Sequence, residues 1–228
     1  MYARTVEPGP APGAGRSGTV RVGAVTGASV SHVVPAIQII KRQSADVSIR
    51  VDVAPSVDLM GGLLAGDLDF VLCRIPDGMN ASRLDVHESY NEQLDFLVGA
   101  SHPLVRRPDV WLADMAAFPW IMQQKGMPIR DTVDQLHIEC GMAPPADVVE
   151  SASLLVTLAY LGISNAIATV AHEVAELIKL DGSSEIRTLN CTRTITLSAY
   201  RLIRLRDRSL SPASETMFSM IKNSMANT

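Results

Sequence analysis

The chain has 228 residues, of which 47% are hydrophobic and 19% charged, and its formal net charge is −4. This globular composition argues against disorder and allows one large domain or two small ones. The sequence contains neither a Lys/Arg block nor an apolar run of roughly 18 residues, which excludes a nucleic-acid footprint and a membrane-spanning helix. Because the N-terminus also lacks the basic and apolar pattern of a secretory leader, we expect a cytoplasmic chain.

Residues 1–18 predict a linker or a tag. Pro8, Pro10 and Pro12 stand among four glycines, and this pattern can hold neither a helix nor a strand ladder. We therefore expect no function in this segment.

The cysteines are widely spaced, with no CxxC pair and no histidine at the spacing of a metal ligand. We predict that Cys73, Cys140 and Cys191 are buried reduced thiols. Neither a metal nor a cofactor is expected.

Residues 19–74 alternate between strand and helix signals. The patterns predict, in order, a strand at 20–25, a small-residue turn at 26–29, a helix to about residue 40, a strand at 47–53, a helix at 57–65 capped by Ser56, and a strand at 70–73. This β-α-β-α-β order is half of a doubly wound parallel sheet and indicates an α/β fold.

Arg74 follows the uninterrupted apolar run FVLC at residues 70–73, which predicts a strand covered on both faces. The arginine would emerge at the carboxyl end of that strand, the edge at which open α/β sheets bind ligands. It either contacts a ligand or pairs with a nearby carboxylate or carbonyl, and the sequence leaves both interpretations open.

Residues 75–194 repeat the alternation after a loose segment at 77–82. The patterns predict strands at 94–98, 120–122, 146–149, 166–170 and 186–189, with helices at 112–117, 129–140, from Ser151 or Ser153 to 161, and 172–180. A last strand at 194–203, interpreted as an edge or crossing strand, precedes a helix that begins at Pro212. We assign lobe I to residues 19–74 and 195–226, and lobe II to residues 75–194.

No catalytic motif is present: the sequence lacks GxSxG, HExxH, GxxxxGK and GxGxxG patterns. The five histidines are scattered, and none stands near a cysteine, serine or carboxylate at a spacing that demands a triad. We therefore predict that the chain is not an enzyme.

Several polar or small residues share one position, at the carboxyl ends of predicted strands or the following helix starts. Each could be a plain turn residue or helix cap, as Ser29 or Ser31 would be after the first strand. Together they could offer hydroxyls, backbone N–H groups and cations to a small polar or anionic molecule. The candidate ligand-binding residues are Thr26, Gly27, Ala28, Ser29, Ser56, Arg74, Lys125, Gly126, Pro128, Ile129, Ser151 and Thr169.

Two segments in this order, LLAGDLDF at 63–70 and SHPL at 101–104, resemble the effector-binding domain of LysR-type bacterial transcriptional regulators. Val20-Arg21-Val22-Gly23 and Val34-Pro35-Ala36 add to the likeness, which covers about residues 18–225. The resemblance implies two Rossmann-like lobes of the type 2 periplasmic-binding-protein kind, with a small-molecule inducer in the cleft between them.

The resemblance also carries the family's ligand contacts onto residues 26–29, Ser56, Pro128 and Ile129, and Arg130 matches a frequent family arginine. The region LGISNAIATVAHEV departs from the family's usual glycine-rich turn, which weakens the assignment of Thr169. The family's N-terminal winged helix-turn-helix and linker helix are missing from this sequence. We therefore expect an isolated sensory domain that forms a homodimer or higher homo-oligomer, with DNA contacted only through the missing domain. The alternative on the same fold is a transport-type solute-binding protein.

Overall fold

The computed structural model describes residues 18–180 and 185–226. The segment predicted as a linker or tag lies outside the described residues, except for Gly18. The strands are β1 Gly18–Ala24, β2 Val47–Val53, β3 Phe70–Cys73, β4 Leu84–Gly99, β5 Trp120–Met122, β6 Val148–Glu150, β7 Ile167–Ala171, β8 Ile186–Thr188 and β9 Ile195–Leu205. The α-helices are α1 Thr26–Ala28, α2 Val34–Gln43, α3 Ser56–Ala65, α4 Leu112–Met115, α5 Pro128–Glu139, α6 Leu154–Ile163, α7 His172–Leu180 and α8 Pro212–Ala226, with a π-helical stretch at Ser29–Val33 and a 3₁₀ turn at Pro103–Arg106.

The chain divides into two compact units, residues 1–88 with 201–228 and residues 89–200. The chain passes from one unit to the other inside β4 and again inside β9, so β9 is a crossing strand. The lobe boundaries expected from the sequence, at residues 74 and 195, lie earlier in the chain than the boundaries in the structure, which follow residues 88 and 200.

In the first unit, β1 lies between β2 and β3 with both pairings parallel, and β9 pairs antiparallel with β3. All four residues of β3 are buried, as predicted for a strand covered on both faces. Helix α8 packs onto this unit through its buried residues, and the rings of Phe70 and Phe218 meet edge to face at 5.4 Å. The predicted β-α-β-α-β order is confirmed.

The start of the first helix differs from the prediction. Residues 26–29 are the first helical turn rather than a turn that precedes the helix. The hydroxyls of Ser29 and Ser31 donate to the carbonyls of Val25 and Gly27, four residues back, so neither serine is a cap. Such hydrogen bonds compete with the regular helical pattern, and the helix is π-helical at Ser29–Val33.

In the second unit, β5 lies between β6 and β7 with both pairings parallel. Strand β4 pairs antiparallel with β7 and with β8. Trp120 is 1% exposed and meets Phe96 edge to face at 5.7 Å, which places an aromatic pair in the core of this unit. Of the two serines predicted to cap α6, Ser153 is the cap: its Oγ accepts the N–H of Val156 at 3.4 Å.

Strand β4 begins at Leu84, ten residues before the strand expected from the apolar run at 94–98. The extra residues carry half-buried and exposed polar side chains, such as Asp85 and Glu88, so no apolar run marks them. Leu84 is 1% exposed and packs in the core of the first unit. The early part of β4 thus belongs to the first unit, which sequence patterning could not show.

His102 immediately precedes the 3₁₀ turn, and both nitrogens of its imidazole ring form hydrogen bonds. Its Nδ1 accepts the N–H of Leu104 at 3.2 Å, so Nε2 carries the proton and donates to the carbonyl of Asn165 at 3.2 Å. Burial lowers the pKa of His102, which favours this neutral tautomer. The second partner is 63 residues away in the chain, so the sequence did not indicate it.

The three cysteines are free. Only Cys73 is buried, whereas Cys140 is exposed and Cys191 is partly exposed, so the prediction of three buried thiols is wrong for two of them. Burial raises the pKa of the Cys73 thiol to about 12, which keeps it protonated and unreactive. Within the described part of the chain, no helix is both long and apolar enough to cross a bilayer.

Candidate functional site

The carboxyl ends of β1, β2 and β3 meet at one edge of the first unit. Ala24 at the end of β1 lies opposite Val53 at the end of β2 and Leu72 of β3, because the three strands are parallel and in register. The segments that leave these strands therefore emerge side by side, as expected for the ligand-binding edge of an open α/β sheet. We call this the first edge.

At the first edge, β1 runs directly into a helical turn. The N–H of Val25 donates to the carbonyl of Leu72 at 3.0 Å, which ties the turn to β3. Thr26 is exposed, whereas Gly27, Ala28 and Ser29 are buried. The first N–H groups of a helix have no partner within the helix and favour an anion. This turn can therefore offer an accessible hydroxyl and backbone donors.

Ser56 and Arg74 are joined at the same edge. The Oγ of Ser56 accepts the backbone N–H of Arg74 at 3.1 Å, which links the start of α3 to the end of β3. The expected capping role of Ser56 is wrong, since Pro55 precedes the helix and no side-chain cap bond forms. Arg74 is half-buried directly after β3, at the position that the sequence predicted. The six candidates of the first unit thus lie on neighbouring segments.

The second unit has the same arrangement, because β5 is parallel to both β6 and β7. We call the carboxyl ends of these strands the second edge. Lys125 and Gly126 lie in the loop after β5 and are exposed, and Gly126 adopts a left-handed φ of 85°. The N–H of Gly126 donates to Oδ1 of Asp131 at 2.9 Å, which fixes the loop against the first turn of α5.

Helix α5 begins at Pro128, one residue before the predicted start. Pro128 is exposed and Ile129 is half-buried against the core of the second unit. Ser151 follows β6, and its N–H donates to the carbonyl of Met122 at 2.8 Å. These candidates therefore lie beside one another on the segments that follow β5 and β6.

Thr169 differs from the other candidates. It lies inside β7 opposite Phe96, two residues before the strand ends at Ala171. It belongs to the last three residues of the strand, as expected, but not to the segment that leaves the strand. Its Oγ1 is buried with no hydrogen-bond partner in the described part of the chain.

Arg130, one residue after Ile129, is the most unusual charge of the second unit. It is 3% exposed, and its Nε donates to Oδ2 of Asp134 at 2.8 Å. Its Nη1 lies 3.7 Å from Oε1 of Glu150 and has no hydrogen-bond partner among the described residues. Residue spacing indicates the pair with Asp134, at i and i+4, but neither the burial of Arg130 nor its approach to Glu150 at the end of β6.

These features define a class of protein: a two-unit α/β ligand-binding domain in which each unit carries polar residues at the carboxyl ends of its parallel strands. The family model named LysR substrate binding domain matches residues 13–226, and the chain belongs to this family. Its fold is that of the type 2 periplasmic-binding proteins, which confirms the fold predicted from the resemblance.

The curated relatives are transcriptional regulators and not enzymes. The HTH-type transcriptional regulator GbpR of Azospirillum brasilense is 33% identical over 211 residues, which are 92% of this chain and 61% of that protein. GbpR of Rhizobium radiobacter is 35% identical over 164 residues, 72% of this chain and 54% of that protein. The chain therefore spans only about half to three fifths of the length of these relatives.

Two solved structures show the same fold at low identity. The effector-binding domain of QuiR in complex with shikimate has a TM-score of 0.71 at 16% identity, covering 92% of this chain and 98% of that one. The regulatory domain of Synechocystis PCC6803 CcmR in complex with 2-PG has a TM-score of 0.73 at 15% identity, with the same coverage of both chains. This chain is thus an effector-binding domain of the LysR type.

Proposed function

We propose that this domain senses a small anionic or polar effector, which it binds through the residues of the first and second edges. The observation that carries the proposal is the repeated arrangement: parallel strands in each unit end at helix starts and exposed polar groups. Thr26 and Ser56 represent the first edge, and Lys125 and Ile129 the second.

The chemistry of the two edges supports an anion. Helix starts at Thr26, Ser56 and Pro128 direct backbone donors and the positive end of the helix dipole outward. Arg74 and Lys125 add positive charge beside them. The neighbours that contain shikimate and 2-PG supply the first probes for binding.

Thr26→Glu tests the first edge without removing any contact of the fold. Thr26 is exposed in the first helical turn, where an acidic side chain suits the helix dipole and stability should be unchanged or slightly higher. The added charge should repel an anionic effector and weaken its binding by at least about tenfold. Isothermal titration with shikimate, 2-PG and a panel of small carboxylates, sugars and aromatic acids measures the effect.

Thr26→Gln is the matched control, since it adds similar bulk without charge. It should retain most of the affinity for an anionic effector. Equal loss in both variants would contradict an anion at this edge, and absence of binding across the whole panel would contradict the choice of ligand classes.

In the whole regulator, we propose that effector binding controls transcription in the cytoplasm. An effector can act only if it binds two states of the protein with different affinity. DNA would be contacted through another domain of the regulator, because the sequence contains no Lys/Arg block and its net charge is −4.

We propose that the chain self-associates through helix α6. Leu155 and Ile163 lie two turns apart on the same face of α6, are 79% and 86% exposed, and have the exposed Ala159 between them. An apolar stripe of this kind is typical of an interaction surface. Edge strand β2 offers a further apolar surface at Val51 and Val53, which are 36% and 54% exposed.

Leu155→Glu should therefore raise the dissociation constant of the homodimer by at least about tenfold, which corresponds to about 1.4 kcal/mol of association free energy. The reason is that the substitution would bury a charge in the contact. Sedimentation equilibrium measures the dissociation constant. Leu177→Glu on α7, where Leu177 is 52% exposed, is the control and should leave association unchanged. A wild-type chain that remains monomeric at high concentration would contradict the proposal.

A further inference from the structure

Asp95, His172 and Glu176 form a cluster in the second unit, where α7 follows the carboxyl end of β7. One possible ligand atom from each residue lies within 4.8 Å of the others. Nδ1 of His172 is 2.8 Å from Oδ2 of Asp95. We call these three residues the histidine–carboxylate cluster.

Regular secondary structure fixes the backbone positions of the cluster. Asp95 in β4 pairs with Val170 in β7, and α7 begins at His172 directly after that strand. His172 and Glu176 are four residues apart and share one face of the helix. Because Val174 and Ala175 of α7 are buried in the unit, the helix cannot rotate that face away from Asp95.

The spacing of the cluster suits metal coordination. Nδ1 of His172 and Oδ2 of Asp95 are 2.8 Å apart, which is near the separation of two ligand atoms that each bind one ion at about 2.1 Å, so the ion would replace the proton between them. Lys179 contacts Oε1 of Glu176, so a metal ion would take the other oxygen, Oε2.

A cavity of about 320 Å³ adjoins the cluster and is a second observation in favour of a site. Asp95 and His172 line it, together with Lys179, Thr188, Asn190 and Cys191. The space accommodates the water molecules that complete the coordination of an ion held by three protein ligands. Cys191 places a thiol in the same cavity.

We propose that the histidine–carboxylate cluster binds a divalent transition-metal ion such as Zn²⁺. An imidazole with two carboxylates suits zinc and its neighbours, whereas Mg²⁺ and Ca²⁺ prefer sites built from oxygen alone. When the imidazole of His172 is neutral, the two carboxylates and Lys179 together carry a net charge of −1. A bound cation would compensate this charge. None of its three residues is an effector candidate, so variants of the cluster test the metal site by itself.

The test is a titration of the chelator-treated chain with Zn²⁺ against a metallochromic indicator, with thermal unfolding as a second measurement. We expect one ion per chain and a melting temperature raised by about 4 °C at tenfold excess over the dissociation constant. His172→Asn removes the imidazole ligand, and Glu176→Gln removes the carboxylate while keeping an acceptor for Lys179. Each variant should weaken binding by at least about tenfold.

Two controls separate this site from other zinc-binding groups. His87→Asn removes the imidazole that lies 2.9 Å from Asp85 in the first unit, and Cys140→Ser removes an exposed thiol. Both should bind Zn²⁺ as the wild type does. No binding at all, or binding that Cys140→Ser abolishes and His172→Asn and Glu176→Gln leave unchanged, would overturn the proposal.

Discussion

Asp69→Ala is expected to lower the free energy of unfolding by about 3 kcal/mol, because it breaks a buried charge network. Asp69 is 7% exposed and precedes β3. Its carboxylate accepts the backbone N–H of Arg21 at 3.0 Å, the guanidinium of Arg21 at 2.8 Å and the hydroxyl of Ser214 at 2.8 Å. Nη2 of Arg208 lies 3.7 Å away. The carboxylate thus joins β1, β3 and α8, and its loss leaves buried donors without an acceptor.

Urea unfolding followed by far-UV circular dichroism measures this change. Asp67→Ala is the control, since Asp67 is exposed two residues earlier in the same turn and should change stability by no more than about 0.5 kcal/mol. If both variants lowered the free energy of unfolding by similar amounts, the loss would come from the turn itself and not from the buried network.

Gly99→Ala should lower the free energy of unfolding by about 2 kcal/mol through overpacking. Gly99 ends β4, and a Cβ built on it would lie 2.5 Å from the backbone carbonyl oxygen of Leu161. A side chain could rotate away from this contact, but the backbone of α6 cannot move without disturbing the core. Both tryptophans, Trp111 and Trp120, lie in the second unit, so their fluorescence reports its unfolding directly.

Gly162→Ala is the matched control for Gly99→Ala. Gly162 lies one residue after Leu161 in the last turn of α6, and a Cβ there would meet no atom within 4 Å. Alanine is favoured over glycine in a helix, so this variant should stabilise the chain by up to about 1 kcal/mol. Destabilisation by Gly162→Ala, or no effect of Gly99→Ala, would contradict the close approach of β4 and α6.

The sequence predicted the elements whose patterns are strong. The apolar run at 70–73 predicted β3. The glycine of the preceding segment LLAGDLDF is Gly66, which ends α3 with a left-handed φ of 83°. The alternation of strands and helices predicted parallel sheets, and the two-segment resemblance predicted the family. These features depend on local residue order, which the sequence shows directly.

Other features depend on side chains that meet only after folding. The early half of β4 has no apolar run, so its pairing in the first unit is decided by tertiary contacts. Ser56 has the residue type of a cap, yet its hydroxyl binds the N–H of Arg74, 18 residues later. Asp95 and His172 are 77 residues apart and give no shared signal in the sequence.

Asp69 and Arg74 flank β3 and illustrate how the fold supports the site. The buried network of Asp69 fixes the strand at its amino end, while Arg74 emerges at the carboxyl end beside Ser56. Because the strand is rigid and fully buried, the first edge should be preorganised for its ligand. Asp69→Ala should therefore weaken effector binding only through its loss of stability.

The central claim is that the effector binds at the carboxyl ends of the parallel strands, and a backbone amide chemical-shift map of the chain with the tightest binder of the panel tests it most directly. The account predicts the largest changes at Thr26–Ala28, Ser29 and Ser56 in the first unit, together with Gly126 and Ile129 in the second. Largest changes at the amino ends of these strands, such as Gly18 of β1 and Phe70 of β3, or at Asp95 and His172 instead, would contradict it.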